Sequence, residues 1–458
     1  MSSAGYMSEI WPKMVATNVN TLLGCVPCEM IEPEEGQFDS SELDKVILGT
    51  REHGLHLILL WFGTWKNGRS TYLRKAGGVV EIADVLSLFH KQNNEADVKA
   101  FRTLLSHVKE IEEGHNTVLM VQVENEVGLL FNSRDASLAA NKQFNKAVPS
   151  DLLRLLAEDY DNLNADEEVF GKGPKTDKLF MAYHCALYVN RVAAVGKEAY
   201  QLSLYTNVWQ NYAGDDSDND FPVVVGGGGM PGDYPSGGAI SDVLDIWLQF
   251  APSLDFIAPD VYLNDYSSSC TKDEYGVRRI RAAYGTFQAL MASPFGIDML
   301  EPADNPFTKH YGLLDSVSQI VLDVQRKPKS SVGFYFDDLP IGWKMGEADP
   351  TKPYNATFGS WTVTTSRCFV FGKPGGGARF LLLGWGFQIS VQSTEPATKF
   401  NGILRFEEKV VEERATGDET RSGAQAMMPN VDPDYRGFPI AVTIPARTAI
   451  AEIEFYSF

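Results

Sequence analysis

Two carboxylates with an asparagine between them follow an apolar run about a quarter of the way along the chain. The run TVLMVQVENE (117–126) ends in Glu124, Asn125 and Glu126. Carboxylates at the end of an apolar strand are costly to desolvate, and such surroundings raise a pKa toward the range needed for proton transfer. Strand alternation would place Glu124 and Glu126 on the same side, with Asn125 between them. The competing interpretation is structural, because the same carboxylates could cap the next helix or bind neighbouring arginines.

Aromatic and hydrogen-bonding residues end several other apolar runs. Where parallel strands close into a barrel, their carboxyl ends share one rim, so we expect these side chains to line one site. Aromatic faces stack on sugar rings, whereas Asn, Asp and Tyr side chains bond hydroxyl groups. The pattern therefore favours a carbohydrate site, although each tryptophan taken singly also fits a place in the core. The residues concerned are Trp61, Trp65, Asn207, Trp209, Asp260 and Tyr262.

The elements that would position these residues repeat one pattern from residue 17 to about residue 300. A short apolar run is followed by an amphipathic segment, which is typical of βα units around a parallel sheet. The predicted strands are TNVNTLLGCVP (17–27), LHLILLWFG (55–63), TVLMVQVENE (117–126), YQLSLYTNVW (200–209), SLDFIAPDVY (253–262) and ASPFGIDML (292–300). The predicted helices cover 40–54, 94–114, 176–199, 239–251 and 276–290.

Beyond about residue 325 the helical periodicity is replaced by short alternating runs between Gly, Pro and Asn turns. These runs predict an all-β, sandwich-like domain. The predicted fold is therefore an α/β, TIM (β/α)8-type barrel in residues 1–325, followed by a β domain in residues 326–458. A closed barrel of this type has eight strands, whereas only six can be counted. We therefore expect the barrel to be incomplete.

Several segments together resemble a known enzyme group. The sequence VQVENEVG (121–128) resembles the acid/base strand of clan A glycoside hydrolases, in which an Asn-Glu pair ends the fourth barrel strand. The wider sequence is similar to β-galactosidase-like members of glycoside hydrolase families 35 and 42. The matching stretches are NTLLGCVPCEMIEPEEGQFD, LILLWFGTWKNGRSTY, DYPSGGAISDVLDIW and SPFGIDMLEPADNPF.

This resemblance implies a role for each matching residue. Glu126 matches the proton donor, and Asn125 matches the residue that bonds the sugar 2-hydroxyl. Tyr262 occupies a place where a tyrosine often orients the nucleophile. The chemistry implied is retaining hydrolysis of terminal galactosides, in an oligosaccharide or polysaccharide, through a covalent glycosyl-enzyme. No cofactor is implied.

The chain departs from that family pattern where the second carboxylate is expected. Relatives carry an apolar strand ending in Pro-Glu before the stretch that appears here as KDEYGVRRI, but this chain runs NDYSSSCTKDEYG directly into it. The first and seventh strands, the latter carrying the nucleophile, are therefore expected to be absent. Glu301, after ASPFGIDML, is the candidate substitute, with an ordinary loop residue as the alternative reading. The rival function is a shortened, catalytically impaired or inactive sugar-binding homologue.

Charge and composition exclude several other classes. Forty basic and sixty acidic residues give a formal net charge of −20, which would repel nucleic acid and anionic membranes. The N-terminus has no basic start followed by an apolar run, so we expect no signal peptide in this chain and a cytoplasmic location. Seven scattered histidines argue against a metal centre, and Cys25 and Cys28 read as half a zinc site, a redox pair or a coincidence.

Overall fold

The computed structural model forms two compact units. It describes residues 3–63, 86–159, 170–211, 229–260, 306–327, 331–333, 354–358, 360–365, 369–372, 379–384, 388–409, 441–443 and 449–458. Of these residues, the first unit holds those up to 260 except 13–19, and the second holds 13–19 together with those from 306 onward.

A five-stranded parallel sheet is the frame of the first unit. The strands are β1 (Thr21–Pro27), β2 (His56–Phe62), β3 (Val118–Val123), β4 (Ser203–Trp209) and β5 (Phe256–Asp260), and they pair in that order. All four pairings are parallel. The interior strands are apolar on both faces, as expected where helices cover a parallel sheet.

Helices connect the strands of the first unit. Helix α1 (Ala4–Ala16) precedes β1, and its residues 4–12 belong to this unit. The connecting helices are α2 (Cys28–Ile31), α3 (Ser41–Glu52), α4 (Lys91–Glu112), α5 (Leu138–Phe144), α6 (Ser150–Asp159), α7 (Pro174–Ala199) and α8 (Leu244–Phe250), with a 3-10 turn at Ser241–Val243. α7 begins with a proline, whose missing N–H costs nothing in the first helical turn. These helices and five parallel strands fit an α/β barrel-like domain.

The amphipathic helix α4 supplies much of the packing against the sheet. Its buried side chains recur every three or four residues, which places them on one face. Phe101 on this face packs against Trp61 of β2, with ring centroids 5.6 Å apart. Two acidic residues, Asp97 and Glu112, also lie on the buried face.

Helix α1 was not anticipated from the sequence. Its Trp11 is buried, and the indole N–H donates to the Thr50 hydroxyl of α3 at 3.2 Å. A side chain larger than hydrogen at Gly49 would overlap the Trp11 ring, so the glycine makes this close approach feasible. Helix α1 contains Pro12, a residue that local propensity disfavours inside a helix.

Two antiparallel sheets pack face to face in the second unit. One contains β6 (Ser331–Gly333), β9 (Phe369–Gly372), β10 (Arg379–Gly384), β12 (Asn401–Lys409) and β14 (Ala449–Ser457). The other contains β7 (Tyr354–Phe358), β8 (Trp361–Thr365), β11 (Gln388–Ser393) and β13 (Ala441–Thr443). Alternate residues of both sheets share one core: Trp361, Val363, Phe380, Leu382, Val391, Ala451, Ile453 and Phe455. This two-sheet core agrees with the predicted all-β character of the C-terminal region.

Two further helices belong to the second unit. They are α9 (Pro306–Ser316) and α10 (Ser318–Gln325). Val317, between them, forms a small buried cluster with Ile450 of β14, and Leu381 of β10 packs against it. The predicted domain boundary had assigned this helical segment to the barrel domain, and that boundary stays a prediction.

The structure confirms five of the six predicted strands of the α/β region, since each of the first five runs contains one strand of the parallel sheet. The sixth run (292–300) and the predicted helix 276–290 lie outside the described residues. The absence of a first and a seventh strand, and the closure of the barrel, therefore stay predictions. Residues 4–16, which precede β1, form a helix.

Candidate active site

The chain turns sharply where β3 ends, and this turn carries the candidate acid–base residues. The strand stops at Val123, and both Glu124 and Glu126 adopt left-handed backbone conformations, with φ of 64° and 46°. The expected strand alternation therefore does not extend to these two residues. Left-handed φ is uncommon for residues other than glycine and costs energy that the surroundings must offset, and such strain is concentrated at functional sites.

Side-chain amides hold this turn in place. Gln122, which is buried, donates from Nε2 to the Glu124 carbonyl oxygen at 2.9 Å. Asn125 donates from Nδ2 to the Glu126 carboxylate at 3.1 Å. This bond keeps the half-buried Glu126 carboxylate beside the Asn125 amide. The predicted pair is therefore brought together with both side chains at the carboxyl end of the sheet.

Asn207 of β4 links this turn to the next two strands. Its Oδ1 accepts from the Glu126 backbone N–H and from Gln122 Nε2, both at 2.8 Å. Its Nδ2 donates to Asp260 Oδ2 at 2.8 Å and, at 3.4 Å, to Asn125 Oδ1. The residues that end β3, β4 and β5 therefore form one hydrogen-bonded network, as the shared-rim argument predicts.

A buried carboxylate layer lies against this network. Glu124 is fully buried, and its carboxylate accepts from the Gly63 N–H at 3.2 Å. Asp97 of α4 accepts from the Trp61 indole N–H at 2.8 Å and from the Tyr188 hydroxyl at 2.6 Å. A Cβ atom at Gly63 would lie 2.6 Å from Glu124 Oε1 and would also overlap Asp97. Only glycine fits between the two carboxylates.

These acidic neighbours also act on Cys28. Burial, reinforced by the charges of Asp97, Glu32 and Glu124, raises the pKa of the Cys28 thiol well above its ordinary value. A thiol of this kind stays protonated and is a poor metal ligand or nucleophile. Cys25 and Cys28 are both free thiols. Within the described ranges, no group of three or more His, Cys, Asp or Glu side chains could hold a metal ion.

Tyr205, near the amino end of β4, is a second group with a perturbed pKa. Burial raises its pKa to about 12, and the charge of Asp260 contributes in the same direction. Its ring stacks on Phe256 of β5 at 4.7 Å between centroids. The phenol is therefore neutral at ordinary pH and serves as packing.

The two described tryptophans of the predicted rim have different surroundings. Trp61 is wholly buried and bonded to Asp97, so its interpretation as a core residue is the correct one. Trp209 ends β4, two residues after Asn207 on the same strand face, and is 9% exposed. Its indole N–H has no hydrogen-bond acceptor within the part of the chain that the structure describes. Trp65, Tyr262 and Glu301 lie outside the described residues.

Two residues of the site were missed at the sequence level. Gln122 looks like an ordinary strand residue, yet it is 3% exposed and donates to three acceptors. Asp97 falls on the apolar face of α4, at helical spacing from Phe101 and Leu104. A polar residue on a predicted buried face was the available signal in both cases, because burial of such a group requires partners.

Comparison with known proteins gives a partial family match and several distant structures. Residues 307–427 match a family model described as a domain of unknown function, DUF5597. No curated protein matches the chain. Among the described residues, no helix is long and apolar enough to cross a membrane.

The structural matches share little sequence with this chain. A β-galactosidase from Rahnella sp. R3 is 13% identical with a TM-score of 0.37, over 60% of this chain and 39% of the enzyme. A β-galactosidase from Bacillus circulans is 11% identical with a TM-score of 0.35, over 61% and 40%. A GH42 β-galactosidase from G. stearothermophilus is 16% identical with a TM-score of 0.37, over 57% and 38%. This chain spans less than half the length of each.

Proposed function

We propose that this protein is a retaining glycoside hydrolase of the β-galactosidase type, with Glu126 as the acid/base residue and galactoside oligosaccharides or polysaccharides as substrates. The observation that carries the proposal is the Asn125–Glu126 pair, which lies at the carboxyl end of a parallel strand and is joined to Asn207 and Asp260. In a βα barrel this edge of the sheet is where catalytic side chains are placed.

The chemistry assigns separate roles to the two residues. Glu126 donates a proton to the departing glycosidic oxygen and later removes one from the attacking water. Asn125 has its Oδ1 near Asn207 and its Nδ2 on Glu126, so it lies beside the reacting carboxylate, where the sugar 2-hydroxyl would be bound. The Trp209 indole N–H, which has no acceptor among the described residues, would supply a donor for a further hydroxyl.

The second carboxylate separates this function from its rival. Retention requires a nucleophile about 5–5.5 Å from the acid/base carboxyl group, and inversion places the pair about 6.5–9.5 Å apart. Glu301 is the proposed second carboxylate. The departure of the sequence near NDYSSSCTKDEYG favours an inactive or impaired sugar-binding homologue instead. In that case the protein binds galactosides without turning them over.

Substitution of Glu126 by Gln tests the proposal directly. The amide keeps the size of the side chain but cannot transfer the proton, so hydrolysis of phenyl galactoside, an aryl galactoside whose leaving oxygen needs the proton, should fall roughly 10²- to 10⁴-fold. Galactose binding, measured by calorimetry, should persist. Glu95→Gln makes the same chemical change at an exposed helical position and should leave both quantities unchanged.

Three outcomes separate the alternatives. Equal hydrolysis by the parent and Glu126→Gln rejects Glu126 as the acid/base residue. A parent that binds galactose but hydrolyses nothing supports the sugar-binding homologue. With an active parent, an unaltered rate in Glu301→Gln excludes Glu301 as the second carboxylate.

A further inference from the structure

We propose that Asp260 is a positioning residue that acts through the Asn207 amide to fix the backbone of Glu126. The inference rests on the proposed function in one respect, since that proposal makes Glu126 the acid/base residue. The contacts form a continuous chain: Asp260 Oδ2 accepts from Asn207 Nδ2, and Asn207 Oδ1 accepts from the Glu126 N–H, each at 2.8 Å. On the sequence alone, Asp260 had been read as a residue that bonds sugar hydroxyls.

Sheet register places the two side chains on one face. Asn207 pairs with Ala258 in the β4–β5 ladder, and Asp260 lies two residues further along β5. Residues two apart on a strand share a face, and diagonal neighbours of this kind are within reach of side chains. The contact between Asn207 and Asp260 therefore follows from the pairing of β4 with β5.

The donors and acceptors around Asn207 determine the orientation of its amide. Its oxygen meets two groups that donate, the Glu126 N–H and Gln122 Nε2. Its nitrogen meets the Asp260 side chain. An ionised carboxylate has acceptors and no donor. If the amide were flipped, its NH₂ group would face the two donors, and its oxygen would face the Asp260 carboxylate. The bond to the carboxylate is also charge-assisted and hence stronger than a neutral one.

The backbone that this amide holds needs support. Glu126 has φ of 46°, a conformation that residues other than glycine seldom adopt. The hydrogen bond from the Glu126 N–H to Asn207 stabilises that conformation from the neighbouring strand. Asn207 itself is 8% exposed. Because small misplacements of a catalytic group cost large factors in rate, loosening Asn207 would lower turnover without removing any group that touches substrate.

A polarity exchange at the two positions tests this inference. Asn207→Asp keeps an oxygen for Glu126 and Gln122 but sets a second carboxylate against Asp260, which should disrupt the contact at neutral pH. Adding Asp260→Asn to that variant restores the hydrogen bond in the reverse direction, because the new amide at position 260 donates to the new carboxylate at position 207. The formal charge of the pair is then that of the parent. Asp260→Leu removes the acceptor altogether.

The primary readout is hydrogen exchange at the Glu126 backbone amide, which needs no catalytic activity. Loss of a charge-assisted bond predicts roughly tenfold or faster exchange in Asn207→Asp and in Asp260→Leu. The double variant should return to within about threefold of the parent, since its bond is restored. Acidification slows intrinsic exchange in every variant, so the comparison is with the parent at the same pH: the excess exchange of Asn207→Asp should shrink as one carboxylate gains a proton.

In an active preparation a second readout follows the chemistry. The value of kcat should fall in Asn207→Asp and Asp260→Leu and recover in the double variant, whereas KM should change little. Parental exchange at Glu126 in Asp260→Leu would overturn the inference, and so would a double variant no better than Asn207→Asp. An inactive parent with the predicted exchange pattern would reject the proposed hydrolase and leave the positioning role intact.

Discussion

Each end of strand β3 is bordered by a buried glutamate, and the two are held differently. At the amino end Glu112 accepts from Arg51 at 2.6 Å and from the backbone N–H groups of Thr117 and Val118 at 2.7 and 3.0 Å. At the carboxyl end Glu124 accepts from a backbone N–H and follows β3 directly in a left-handed conformation. The first carboxylate caps and anchors a strand, and the second belongs to a strained turn.

The difference shows how one residue type serves two purposes in one sheet. Glu112 has relaxed surroundings and a cationic partner that is itself three-quarters buried. The turn at 124–126 stores backbone strain and is held by amides from β3 and β4. In barrel enzymes the amino ends of the strands serve stability and the carboxyl ends serve catalysis. Substitutions at the two ends should therefore separate stability from activity.

The largest effect on stability is expected at the amino end. Arg51→Leu would leave the Glu112 carboxylate buried without its cation, and removal of one partner of a buried pair typically costs about 3–5 kcal/mol. Denaturant unfolding of the first unit would measure this loss. Arg102→Leu is the matched control, because Arg102 and Glu198 form an exposed pair that contributes about 0–1 kcal/mol. Equal costs for the two variants would refute the anchoring role of Arg51.

A smaller loss is expected beneath the carboxyl end. Gly63→Ala would force a methyl group against Glu124 and Asp97, and overpacking of this kind costs about 1–3 kcal/mol. Thermal unfolding is the measurement. Gly5→Ala, where the nearest atom to a new Cβ is 4.0 Å away, should not destabilise the chain. A fully stable Gly63→Ala variant would show that the carboxylates are not packed as described.

The smallest effect tests the strain in the turn. Glycine relieves the left-handed strain at position 126 but makes the unfolded chain more flexible. Because these two effects oppose each other, Glu126→Gly should change the free energy of unfolding by less than about 0.5 kcal/mol. The same change at Glu95, on the exposed face of α4, should cost about 1 kcal/mol. If denaturant unfolding gave both variants the same loss, the turn would hold no strain.

Much of the architecture could be predicted because it depends on local pattern. Apolar runs and helical periodicity were enough to place the five parallel strands and the long helices α4 and α7. The shared edge of parallel strands was enough to bring Asn125, Glu126 and Asn207 together. These features follow from strand period and sheet direction, which a single sequence carries.

Other features depend on contacts between distant residues and could not be read from the sequence. The left-handed turn at Glu124 and Glu126 contradicts the preference of glutamate and is held by hydrogen bonds from Gln122 and to Asn207. The burial of Trp61 likewise depends on Asp97, which lies thirty-six positions away on α4. In each case tertiary hydrogen bonds override the local preference.

The most direct test of the central claim compares leaving groups. If Glu126 protonates the departing oxygen, the penalty of Glu126→Gln in kcat/KM, which reports the first step only, should be small for a dinitrophenyl galactoside, because dinitrophenolate leaves without assistance. It should grow steadily for phenyl and alkyl galactosides, whose oxygens need the proton. A penalty that increases with the pKa of the leaving group is the result we predict. An equal penalty across the series would contradict a general-acid role for Glu126.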